Sequence, residues 1–159
     1  MGGENGRSEH RRIRNIFVLD LPACRDAFDE LRTRLATAAR RLRLPERDTS
    51  HLLIAADEVF TNIAEYAYPE RSGTVDIRLA ADDDTAELRL SFADRGIPFD
   101  PLTAKTPDTA AAPAERQIGG LGIHVVKSLM DDVTYRRTAD GQNVLTLTKR
   151  LPPAPEAHP

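Results

Sequence analysis

The chain has 159 residues, of which 40% are hydrophobic and 30% charged, the make-up of about one soluble domain and too polar for a membrane protein. Twenty-two Lys and Arg against 25 Asp and Glu leave a net charge of −3, which argues against a general nucleic-acid coat. Cys24 is the single cysteine, so an intramolecular disulfide and a four-cysteine zinc site are both excluded. Three Tyr, five Phe and no Trp provide no stacking platform for single strands. No apolar stretch follows the arginines of the N-terminus, no run approaches the roughly 18 apolar residues of a membrane span, and Gly6 stands where a myristoylation signal needs Ser or Thr. The expectation is a cytoplasmic protein with no membrane contact.

Residues 1–12 are Gly- and charge-rich and read as a disordered N-terminus. Residues 13–18 read as a strand through Ile16, Phe17 and Val18. Asp20 then offers a helix cap, with Pro22 suited to the first turn. Phe28, Leu31, Leu35, Ala38 and Leu42 form one buried stripe of that first helix. Arg32, Arg34, Arg40, Arg41 and Arg43 occupy much of its remaining surface. They read as a solvated face, with docking of an acidic partner at Arg40 and Arg41 as the alternative. Leu44-Pro45 breaks the pattern, and a second helix is expected over residues 46–68, ending before Pro69.

Two alternating strands, residues 75–80 and 86–93, follow, joined through Asp82-Asp83-Asp84. Residues 97–118 lose all periodicity and carry four prolines; a loop this long inside a compact domain reads as a functional lid. A third helix follows Gly122, and strands over residues 133–137 and 144–149 turn at Ala139-Asp140-Gly141. Residues 151–159 form a Pro-rich tail, expected to be disordered. The order predicts an α+β fold: a two-layer α/β sandwich with helices on one face of a mostly antiparallel sheet. Its bounds are residues 13–150.

Three motifs carry chemistry. Glu58 and Asn62 sit four apart within the apolar helix LLIAADEVFTNIAEYAY, about 40° from each other around its axis, so they project side by side. A carboxylate beside an amide oxygen suits a hard cation such as Mg2+. Asp94-Arg95-Gly96 ends a strand; the carboxylate can accept from an exocyclic amine, and the glycine lets a flat ring approach. Gly119-Gly120-Leu121-Gly122 opens the third helix, where free backbone N–H groups and the helix dipole favour an anion. No Lys-Ser or Lys-Thr follows, so this is not a P-loop.

In this order, LLIAADEVFTNIAEYAY, DRGIPFDP and GGLGIHVVKSLMDDVTYRR resemble the three nucleotide-binding boxes of the Bergerat-fold, histidine-kinase-like ATPases. Within that superfamily the small size, DRGIPFDP and SLMDDVTY resemble the bacterial anti-sigma factor serine/threonine protein kinases. The resemblance spans residues 13–150. It implies that Glu58 is the general base for an incoming Ser or Thr hydroxyl, and that Asn62 holds Mg2+ on the ATP phosphates. It implies further that Asp94 takes the adenine amine with Gly96 leaving room for the ring, and that Gly119, Gly120, Leu121 and Gly122 cradle phosphates beneath the lid.

Four positions depart from the family pattern. Pro98 replaces a glycine, and Tyr66 stands where a basic residue or His is common. Asn143 replaces the late-strand Thr that supports adenine, and can still hydrogen-bond. Arg116 is the nearest counterpart of the arginine that precedes the phosphate glycines, at a different offset. The function implied is ATP-dependent phosphorylation of a STAS-type anti-anti-sigma partner together with sequestration of a sigma factor; the resemblance extends to a homodimer and leaves no role for direct nucleic-acid contact. The alternative is a non-catalytic ATP-binding module acting by sequestration alone. Retention of both Glu58 and Asn62 favours the kinase.

Overall fold

The computed structural model describes residues 12–103 and 120–153, with the side chains of Gly120 and Leu121 excepted. The N-terminal and C-terminal segments expected to be disordered, most of the lid, Arg116 and Gly119 lie outside the described residues.

Five strands form one sheet in the order β1-β2-β3-β5-β4. They are β1 (Ile13–Pro22), β2 (Thr74–Asp82), β3 (Glu87–Asp94), β4 (Asp132–Arg137) and β5 (Asn143–Arg150). Every neighbouring pair is antiparallel. Among the described residues the α-helices are α1 (Phe28–Arg41), α2 (Glu46–Asn62) and α3 (Gly120–Leu129). Among the described residues no helix is long and apolar enough to cross a membrane.

The register sorts side chains into rungs across the sheet. Leu19, Ile77, Phe92, Leu145 and Tyr135 share one rung, and Phe17, Leu79, Leu90, Leu147 and Val133 the next. Ile77, Phe92, Leu79, Leu90 and Leu147 are fully buried in the core, together with Leu31 and Leu35 of α1 and Leu52 and Phe60 of α2. Each such side chain contributes about 1.5–3 kcal/mol when removed from water. The terminal rung is different: Leu21 and Val75 continue it, but Asp94, Asn143 and Arg137 finish it. The apolar layer therefore stops at a polar edge on the end of the sheet where β3 and β4 finish and β5 begins.

Several boundaries differ from the sequence expectation, and each difference has a local cause. Pro22 closes β1 by pairing with Thr74 and does not open a helix. As the last residue of an edge strand its missing N–H costs no ladder bond. A single 3-10 turn, Arg25–Ala27, then leads into α1 at Phe28. The second helix is α-helical only to Asn62 and widens into a π-turn, Ile63–Ala67. Such wide turns collect at functional sites, and this one lets the Ala67 carbonyl accept the N–H of Ile97 at 2.9 Å. The third helix begins at Gly120, so Gly122 lies inside its first turn.

At the opposite end of the sheet Lys149 is buried. Its ammonium donates to the Leu129 carbonyl at 3.0 Å and pairs with Asp48 at 3.4 Å. It thereby ties the end of α3 and the start of α2 to β5, holding both helices whose other ends form the site.

Candidate functional site

A cavity of about 270 Å³ opens at the polar edge of the sheet, between the end of α2 and the start of α3. Val59, Ile63, Ile97, Phe99, Ile123 and Leu145 supply apolar walls, while Asn62, Asp94 and Asn143 project polar groups into it. Ile97 and Phe99 are half exposed, at 50% and 52%. Large apolar side chains left open beside a cleft are the pattern of a ligand-binding surface.

Asp94 is buried, with 7% of its surface exposed. Its Oδ1 accepts the Gly96 N–H at 2.9 Å and the Asn143 Nδ2 at 3.0 Å. Its Oδ2 has no hydrogen bond or ion pair among the described residues, and Asp94 lines the cavity. The protein thus saturates one carboxylate oxygen and leaves the other as an acceptor for a donor from outside. A side chain at Gly96 would overlap the carbonyl oxygen of Ala67, so the π-turn and the Asp94 turn approach as closely as only glycine allows.

Glu58 and Asn62 lie side by side on α2, as their spacing requires. Both are half-buried, and neither makes a hydrogen bond or ion pair with another described residue. They face α3: a Cβ on Gly122 would lie 2.5 Å from the Glu58 carboxylate and 3.6 Å from the Asn62 Nδ2. The first turn of α3, with its unsatisfied N–H groups, is therefore held directly against a carboxylate and an amide. Asn62 and Asp94, from two of the sequence motifs, line this cavity, and Gly122 of the third packs against Glu58 and Asn62, with Gly120 and Leu121 in the same helical turn.

Tyr66 lines the cavity wall at 39% exposure, and His124 is exposed on α3. Sequence reasoning missed Tyr68, Arg95, Tyr135 and Arg137. The Tyr68 hydroxyl donates to the Thr74 carbonyl at 2.8 Å and accepts the Arg95 N–H at 2.9 Å, pinning the Asp94 turn to β2. Burial raises the Tyr68 phenol above 10.0, with the Arg95 N–H pulling the other way. The Arg95 guanidinium closes the same edge through Asp140 at 2.8 Å. Tyr135 and Arg137 both donate to the Asn143 Oδ1 at 2.8 Å. A two-residue turn at Asp140-Gly141 would set Thr138 opposite Asn143; the observed register pairs Arg137 with Asn143 instead.

The histidine kinase-like ATPase domain family matches residues 21–149 of this chain. The serine/threonine-protein kinase BtrW of Bordetella bronchiseptica is 33% identical over 102 residues, 64% of this chain and 70% of that protein. The serine-protein kinase RsbW of Bacillus mycoides is 30% identical over 137 residues, 84% of this chain and 83% of that protein. Among solved structures, the RsbU and RsbW domains of a Mycobacterium tuberculosis protein superpose with a TM-score of 0.60 at 22% identity, covering 87% of this chain and 34% of that one. A chain of the SiaB-SiaC complex from Pseudomonas aeruginosa superposes with a TM-score of 0.53 at 18% identity, covering 86% of this chain and 90% of that one. A model match over most of the chain, relatives at this identity and the antiparallel sheet with its helical layer agree: the chain belongs to the histidine kinase-like ATPase domain family, among its serine/threonine-protein kinases.

Proposed function

We propose that this chain binds Mg-ATP in the cavity between α2 and α3 and transfers the γ-phosphoryl group to a Ser or Thr of a small STAS-type anti-anti-sigma protein, and that it also sequesters a sigma factor. The observation that carries the reading is the meeting of Glu58 and Asn62 with the Gly122 turn, two polar side chains without partners among the described residues facing a helix N-terminus.

Each residue's part follows from its chemistry. The free Asp94 Oδ2 accepts the exocyclic amine of adenine, and Gly96 keeps the floor of that subsite clear for the ring. Gly120, Leu121 and Gly122 turn backbone N–H groups toward the phosphates, with Gly119 and Arg116 assigned to the same end. Asn62 offers its amide oxygen to Mg2+. Among the described residues no three of His, Cys, Asp or Glu converge, so phosphate and water oxygens would complete the cation's shell, as Mg2+ prefers. A cation held there would supply neutralisation of the charge developing on the transferred group. Glu58 takes the proton of the attacking hydroxyl, the work of a general base. Asn143 holds Asp94 in place.

Partner control follows from charge. A phosphate on the partner adds about −1.5 to −2 units of charge to a docking surface and weakens the complex. Arg40 and Arg41 are exposed at the end of α1, and neither pairs with a carboxylate among the described residues. They are offered as a contact for an acidic partner, and charge reversal at both should weaken the complex while leaving ATP binding intact. A homodimer and a cytoplasmic location belong to the same reading.

A thermal-shift titration tests the nucleotide step. Mg-ATP at about 100 times its Kd stabilises by roughly 2.7 kcal/mol, and a chelator should remove most of that shift. No shift with Mg-ATP would overturn the proposal at its first step. Binding without transfer to any partner would leave the sequestering module in its place.

A further inference from the structure

The Asn143 side chain sits between two groups that cannot exchange roles. On one side Arg137, a donor only, gives its NH1 to the Asn143 Oδ1 at 2.8 Å. On the other the Ile97 carbonyl, an acceptor only, takes the Asn143 Nδ2 at 3.0 Å. Tyr135 adds a second donor to Oδ1 at 2.8 Å, and Asp94 a second acceptor to Nδ2 at 3.0 Å. The amide is buried, at 6% exposure, with all four of these bonds made. Turned over, it would set its oxygen against the Ile97 carbonyl and the Asp94 carboxylate, and its NH2 against the Arg137 guanidinium.

We propose that Arg137 and Tyr135 are positioning residues that set nucleobase choice, by locking the Asn143 amide so that the Asp94–Asn143 pair offers an acceptor, the Asp94 Oδ2, and no donor. This rests on the nucleotide-binding reading and names the residues that make it selective. Arg137, Asn143 and Asp94 occupy one rung across β4, β5 and β3, so the constraint passes along a row of neighbouring side chains. With Oδ1 of Asp94 occupied by Gly96 and Asn143, the remaining oxygen favours a purine carrying a 6-amino donor. A 6-oxo purine would bring an acceptor against it. Arg137 is the decisive member of the pair, because the Tyr135 hydroxyl can donate or accept and would follow a turned amide.

The test is the ratio of Kd values for ITP and ATP, measured with Mg2+ on the full chain. Wild type should prefer ATP. Arg137→Met removes an exposed side chain, and should lower that preference at least tenfold, chiefly by weakening ATP. Arg137→Lys keeps a donor and should restore most of the preference. Thermal denaturation of the nucleotide-free variants reports on folding separately. A preference unchanged in Arg137→Met, ATP and ITP weakened in equal proportion, or no rescue by Arg137→Lys would each overturn the inference while the nucleotide reading stood. Wild type binding neither nucleotide would overturn both.

Discussion

The two ends of the cavity are built on opposite principles. At the end proposed for the base, Asp94 and Asn143 are buried and bonded to Gly96, Ile97, Tyr135 and Arg137, leaving one carboxylate oxygen open. At the end proposed for the phosphates, Glu58 and Asn62 touch the Gly122 turn without a hydrogen-bond partner among the described residues. Recognition of a fixed ring gains from a rigid, pre-satisfied frame. Chemistry needs groups whose partners arrive with the substrate. The same difference decides where substitutions cost stability and where they cost only function.

Asp94→Leu should do the greatest damage to the free protein. It strands the Gly96 N–H and one of the two Asn143 Nδ2 hydrogens, the other staying on the Ile97 carbonyl, each at about 1–3 kcal/mol. At roughly 2–4 °C per kcal/mol for a chain of this size, Tm should fall by several degrees, and ATP binding should be lost as well. A variant of wild-type stability would show that this end is not the rigid frame described.

Tyr68→Phe should come next. It removes the hydroxyl shared by Thr74 and Arg95, a loss of about 1–2 kcal/mol because water can reach both groups. Denaturant unfolding should register it, together with a weaker ATP affinity from a looser Asp94 turn. Unchanged affinity would sharpen the boundary of the frame by placing Tyr68 outside it.

Acid should produce a smaller effect at the same edge. The Asp140 carboxyl is held down from 3.8 to about 2, first by the Thr138 hydroxyl and then by Arg95. A carboxyl lowered in the folded state lends stability that is complete above the unfolded value. That stability is lost as pH falls from 3.8 through about 2. An NMR titration should find this midpoint, and Asp140→Asn should flatten the acid dependence between those values. The carboxyl is fully exposed, so a midpoint at the ordinary value would contradict the bonding.

Glu58→Gln should change stability least, within about 0.5 kcal/mol, because no described partner is left behind. A large destabilisation would erase the contrast between the two ends.

Much of this was legible in the sequence, for reasons that differ by element. The alternation of Leu88, Leu90 and Phe92 in β3 and the stripe on α1 follow periodicity alone, and the structure places both as expected. The Glu58–Asn62 pair was readable because helical spacing determines which side chains neighbour each other. What escaped was set by tertiary contact. The π-turn after Asn62 depends on the Ala67 carbonyl meeting Ile97, and Pro22 ends a strand because Thr74 lies opposite it. Asn143 was identified, but its orientation comes from Arg137 across the β4–β5 pair, which no local pattern reveals.

The most direct measurement of the central claim follows labelled γ-phosphate from ATP to a purified STAS-type partner, with bound nucleotide read on the same samples. The account predicts that wild type places label on a Ser or Thr of the partner. It predicts that Glu58→Gln binds nucleotide as wild type does but transfers about 10²–10⁴-fold more slowly, the usual worth of a general base. Nucleotide bound by wild type without transfer, or transfer undiminished in Glu58→Gln, would contradict it.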